Sequence, residues 1–152
     1  MLKRFSVLFV ICALSSGTAQ AQQQPCNKAE YQQAEKEAVS LRSWDALYKS
    51  YRLYGHCNDV DAAEGYSESV ARILVDRWET LPRLSKLVEK DKSFRDFVLG
   101  HVDATLDMND VQKIHARAIQ HCPAGLRELC KNLQKQAKTA IEEDASVGHK
   151  KQ

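Results

Sequence analysis

Beyond Leu14 the chain has no apolar run long enough to cross a bilayer, whose hydrocarbon core of about 30 Å needs roughly 20 such residues as a helix. It also lacks an excess of one charge. Twenty-two basic side chains stand against 20 acidic ones, so the basic surface of a nucleic-acid binder is missing. β-Branched and aromatic residues nowhere alternate with polar ones over a strand's length, which argues against a sheet. No CxxC, HExxH, GxSxG or calcium-loop pattern occurs, so dithiol redox chemistry, a zinc cluster, a serine hydrolase and a calcium site all lack their usual spacing. There is no internal repeat, no low-complexity segment and no N-x-S/T glycosylation acceptor.

What is present begins with an export leader. Lys3 and Arg4 precede the apolar run Phe5 to Leu14, and Ala19-Gln20-Ala21 supplies an A-x-A cleavage pattern. The expectation is a cleaved signal peptide over 1–21, a single helical domain over 22–143 and a flexible C-terminal tail over 144–152, exported to a bacterial periplasm. Cleavage removes Cys12 and leaves Cys26, Cys57, Cys122 and Cys130. An even set in an exported chain implies disulfides, and four cysteines allow three complete pairings.

The apolar spacing predicts an all-α fold, a compact bundle of six or seven short helices stapled by two disulfides. Asn27 can cap a first helix bearing Tyr31, Ala34, Ala38 and Leu41. Ser43 can cap a second with Leu47, Tyr51 and Tyr54, after a break at Ser40 to Ser43. That break folds two helices into a hairpin and brings Cys26 beside Cys57, which one straight helix would hold tens of Å apart. Asp59 or Asp61 starts a third helix toward Thr80, with Ala63, Tyr66, Val70, Ile73, Leu74 and Trp78 inside. Pro82 opens a short helix with Leu84, Leu87 and Val88, and Asp91 caps one with Phe94, Phe97, Val98, His101 and Val102. Asp107, with Asp110 at the capping-box offset, starts a helix carrying Val111, Ile114, Ala118 and Ile119. Leu126, Leu129, Leu133, Ala137 and Ile141 stripe the last one. If residues 122–130 were all helical, the two cysteines would lie roughly 12 Å apart along the axis. A Cys122–Cys130 bond therefore needs Pro123 to Gly125 to turn back.

Two surfaces stand out as candidate protein-binding sites. Asp59, Asp61, Glu64 and Glu68 form an acidic constellation that could meet a basic partner, against the structural alternative of an acid-capped first turn and a solvated face. Asp103, Asp107 and Asp110 form a second acidic set, read as capping, with Lys113 a candidate cation for Asp103. Trp44, Tyr48 and Tyr51 follow one helical face beside Arg52, the residue types of interaction hot spots, against the alternative that they close a small core. Within this pattern Tyr48 is expected to be partly exposed, with its hydroxyl on a polar group. His101 is expected as a hydrogen-bonded core histidine.

No catalytic constellation is complete, so the expectation is a non-enzymatic periplasmic protein-binding module with no cofactor, no metal, no nucleic acid and no stable membrane anchor. The exported, disulfide-linked helical layout resembles, in architecture alone, small periplasmic immunity proteins that neutralise peptidoglycan-targeting toxins. That resemblance implies an inhibitor or immunity-type role but carries no numbered functional residue. A structural envelope protein, a small-ligand carrier and a cell-wall hydrolase acting through acidic residues are the competing readings.

Overall fold

Asn27 opens the first helix of the computed structural model, which describes residues 25–58 and 60–149. Its side-chain oxygen accepts from the amides of Ala29 and Glu30, both at 3.0 Å, and the Glu30 carboxylate accepts from the Asn27 amide at 3.1 Å. Donors that have no partner inside the helix are thus satisfied reciprocally. This helix, α1, covers Lys28–Ala38. Ser43 then caps α2 (Trp44–Tyr54) through the amide of Ala46, so the expected break is present. A 3-10 turn at Gly55–Cys57 closes the hairpin, and Cys26 is bonded to Cys57 with their Cα atoms 5.1 Å apart.

The third helix, α3 (Val60–Asp76), runs through the middle of the bundle. Its buried face is Ala62, Tyr66, Val70, Ile73 and Leu74, one residue earlier at the start than the spacing predicts, with Ala63 half-buried. It passes very close to the end of α1. A Cβ on Gly65 would sit 2.9 Å from Val39 Cγ1 and 3.2 Å from the Val39 amide nitrogen, so only glycine fits. The carbonyls left open where α1 stops are taken by α3 side chains: Ser69 donates to Ala38, and Arg72 donates to Val39 and Leu41 at 3.3 and 3.4 Å. That explains a fully buried serine in an apolar interface.

A 3-10 turn at Trp78–Thr80 leads into α4 (Leu81–Lys90), with Pro82 in its first turn, where a missing amide costs nothing. Asp91 ends α4 and caps α5 (Lys92–Gly100) by accepting from the Phe94 amide at 3.1 Å. Asp107 caps α6 (Met108–Gln120) through Asn109 at 2.8 Å. The capping box expected with Asp110 does not form, because an aspartate is one methylene short of the reach a glutamate has; its carboxylate takes Lys113 instead at 2.9 Å. Ile119 is 53% exposed rather than buried. It follows Ala118 by one step of about 100°, which rotates it off the face of Val111, Ile114 and Ala118.

Gly125, at φ 81°, turns the chain back after α6. Cys122 and Cys130 are bonded with Cα atoms 6.0 Å apart, half the separation a continuous helix would impose. The last helix, α7, spans Arg127–His149, packs most extensively on α6 and buries Leu129, Cys130, Leu133, Ala137 and Ala140. At 23 residues it is not short, and it includes positions 144–149 of the segment the sequence reading gives as a tail, the rest of which lies outside the described residues. Two hydrogen-bond links tie the far ends of α3 and α6. Trp78 Nε1 donates to the His121 carbonyl at 2.8 Å, and Arg117 donates to the carbonyls of Leu74 and Val75. The described residues therefore form seven α-helices and no strand, stapled by two disulfides. No described helix is long and apolar enough to cross a membrane. Two structural disulfides suit an oxidising, extracytoplasmic compartment. The expected signal peptide lies outside the described residues.

Candidate functional site

The two acidic sets, some 40 positions apart in the sequence, meet around one recess of about 360 Å³ between α3 and the segment leading into α6. From α3 come Glu64, Glu68 and Asp76; from the other wall come Asp107 and Asp110. These five carboxylates face two cations, Arg72 and Lys113. Both cations are already engaged, Arg72 with Glu68 at 3.9 Å and Lys113 with Asp110 at 2.9 Å. The Asp110 hydrogen bond holds the Lys113 ammonium above its ordinary pKa. Glu64 makes no ion pair with a described residue. The recess is therefore acidic on balance, with Glu64 and Asp76 on one wall and Asp107 on the other in excess of the two paired cations.

Its floor is a polar cluster, buried at Ser67 and His101, half-buried at Asp103 and exposed to solvent at Thr105. Ser67 lines the recess, and its hydroxyl donates to Asp103 at 3.3 Å while lying 2.9 Å from His101 Nδ1. A carboxylate only accepts, so the single Ser67 proton goes to Asp103 and the His101 Nδ1–H donates to Ser67. The other Asp103 oxygen accepts from the amide and hydroxyl of Thr105 at 2.8 and 2.5 Å. Asp103 is thus satisfied by Ser67 and Thr105, not by Lys113 as the sequence suggests; Lys113 is held by Asp110. Burial pushes the His101 pKa down to about 4, against the opposing pull of the Asp103 charge, so the ring is neutral. Serine, histidine and aspartate are all present. However, serine bridges the other two, whereas a nucleophilic triad needs histidine in the middle.

Asp61 does not join the recess. Its carboxylate accepts from the Tyr31 hydroxyl at 2.7 Å and ties α3 to α1. Asp59, the remaining member of the predicted acidic constellation, lies outside the described residues.

The aromatic face divides. Trp44 is 2% exposed and belongs to the core, which removes it from the predicted contact set; its indole nitrogen has no hydrogen-bond partner among the described residues. Tyr48 and Tyr51 are half-buried because α5 supplies rings for them to pack on. Tyr48 stands edge-on to Phe94 at 4.8 Å, and Tyr51 meets Phe97 at the same distance. The chain of rings continues through Tyr66 to His101. The hydroxyl of Tyr48 donates to Asp91 at 3.3 Å, and Arg52, largely exposed, donates to the same oxygen at 3.4 Å. The aromatic band is mostly the seam between α2 and α5, with Tyr48, Tyr51 and Arg52 at its outer edge.

A third constellation went unread in the sequence. Cys26, Glu30, His56 and Cys57 place one donor atom each within 4.8 Å of one another. His56 Nε2 lies 3.4 Å from Glu30 Oε2. The amide of Asn27 and the histidine lower the Glu30 pKa, which keeps the carboxylate ionised. No linear motif announces this corner, because the pairs are brought together by the α1–α2 hairpin. The signal was available only as a consequence of the predicted disulfide, which places the neighbours of each cysteine side by side. No family model, no curated protein and no solved structure matches the chain.

Proposed function

We propose that this is a periplasmic protein-binding module that receives a basic side chain of its partner in the acidic recess between α3 and α6. The observation that carries this reading is the convergence of Glu64, Glu68, Asp76, Asp107 and Asp110 around one cavity whose only cations are already paired. A lysine or arginine entering there replaces water beside several carboxylates and gains charge-assisted hydrogen bonds. The rigid wall supports selectivity: α3 is fixed to α1 by Ser69 and Arg72 and to α6 by Arg117. The two disulfides suit an oxidising compartment, and the leader-like run before Ala21 supports reading that compartment as the periplasm.

The test is affinity capture from extracytoplasmic extract with the full chain, followed by titration of the recovered partner. Glu64→Gln combined with Glu68→Gln removes two charges at nearly constant size and helix preference. The expected result is weaker binding by the double variant and a steep salt dependence of the parent, with unchanged melting. Equal affinity of both proteins at low and moderate salt would remove the recess from the interface.

A further inference from the structure

We propose that the corner formed by Cys26, Glu30, His56 and Cys57 is a zinc site that the disulfide closes and reduction opens. The four donors are two sulfurs, an imidazole nitrogen and a carboxylate oxygen, and all lie within 4.8 Å of one another. Two thiolates with a histidine and a carboxylate match the preference of a tetrahedral zinc ion. The spacing of the non-sulfur pair is informative. Metal bonds of about 2.0–2.1 Å at the tetrahedral angle put two ligand atoms about 3.4 Å apart. His56 Nε2 and Glu30 Oε2 are 3.4 Å apart, longer than a good charge-assisted hydrogen bond of about 2.7–2.9 Å. The pair makes a long hydrogen bond, and its separation equals the one a tetrahedral zinc would need. The Asn27 amide donates at 3.1 Å to the same Oε2 that faces His56, so it orients that oxygen and leaves it one lone pair for a metal.

Opening the site takes little movement. The Cα atoms of the cysteines are 5.1 Å apart, and sulfurs bound to one zinc stand about 3.8 Å apart, within reach of side-chain rotation. The backbone is fixed on both sides, by the capping box on one and the turn after α2 on the other. The chemistry balances with a dithiol as reductant. It gives two electrons and two protons to the Cys26–Cys57 bond, yielding two thiols and its own disulfide. Zinc then displaces both thiol protons to solvent, and His56 and Glu30 complete the coordination. The chain before its disulfide has formed is already in the competent state.

The test uses the full chain with all its cysteines. After reduction with a phosphine, the protein is incubated with or without zinc, alkylated and mapped by peptide mass. Zinc should protect Cys26 and Cys57 while leaving the alkylation of Cys122 and Cys130 unchanged. Cobalt in place of zinc should give the intense visible bands of a tetrahedral thiolate complex, with the reduced protein only. His56→Gln and Glu30→Gln, which preserve hydrogen-bonding capacity, should each weaken zinc binding about ten-fold or more. No zinc-dependent protection of Cys26 and Cys57, equal protection of all four cysteines, or indifference to both substitutions would overturn the proposal.

Discussion

Ser67 and His101 meet with Oγ 2.9 Å from Nδ1, and this contact joins the floor of the acidic recess to the end of α5. The histidine is wedged between the rings of Phe97 and Tyr66, at centroid distances of 4.4 and 5.8 Å. Asp103, on the connection that follows, is the one charged group that raises its proton affinity. Burial outweighs that charge, and a ring that must stay neutral gives the fold a pH dependence.

His101 has a folded pKa of about 4, against 6.5 as the ordinary value. The unfolded chain therefore binds the extra proton first as pH falls. The stabilisation is fully present above pH 6.5, declines as pH drops through the interval, and is gone below about 4. At 1.36 kcal/mol per pKa unit the full loss is roughly 3 kcal/mol. Urea unfolding at several pH values should show this slope in the parent and a shallower one in His101→Gln, the difference isolating the histidine from carboxylates that titrate nearby. Parallel curves would mean that the ring accepts its proton without leaving the core.

Asp91 serves three partners at once. It caps α5 through Phe94, accepts from Tyr48 and accepts from Arg52. Asp91→Ala should cost about 1–2 kcal/mol in denaturant unfolding, mainly for the lost cap. Asp91→Asn, which can still cap, should recover most of that, since an exposed Arg52 pair contributes little. Tyr48→Phe should cost no more than about 0.5 kcal/mol, because its hydrogen bond is long and only part-buried.

The fold was legible where periodicity and caps carry it. Asn27, Ser43, Asp91 and Asp107 all cap the helices whose starts they mark. The hairpin and its disulfide followed from the reach of a sulfur bridge. The candidate site was legible only in pieces. Glu64 with Glu68, and Asp107 with Asp110, each read as a local capping or solvated set, because spacing along one helix says nothing about which other helix lies opposite. Trp44 looked like Tyr48 for the same reason. Both follow one face, but α2 packs against neighbours on two sides, so the stripe is covered at Trp44 and only partly covered at Tyr48.

Gly125 is the one described residue with a positive φ, and a Cβ there would meet nothing within 4 Å. Gly125→Ala therefore tests backbone conformation without a steric clash. It should lower stability by about 1–2 kcal/mol. Gly125→Asn should cost less, since asparagine tolerates the left-handed region better. Thermal unfolding of the three proteins gives the order.

The two disulfides should differ in what they contribute. Cys26–Cys57 spans 31 positions and Cys122–Cys130 spans 8. In the chain-entropy description the longer loop restrains the unfolded state more, by about 3.7 kcal/mol against about 2.5 kcal/mol at 25 °C. Replacing Cys26 and Cys57 by alanine should therefore destabilise the bundle more than replacing Cys122 and Cys130. The local surroundings work in the opposite direction. The shorter loop holds a left-handed glycine and closes the α6–α7 hairpin, the most extensive helix pair, whereas the longer one joins α1 to a 3-10 turn. Denaturant unfolding of both double variants and the parent, with equal slopes required for the comparison, decides between loop entropy and local anchoring. A larger loss from the Cys122 and Cys130 pair would show that the α6–α7 turn depends on its bridge for native geometry and not only for restraint of the unfolded chain.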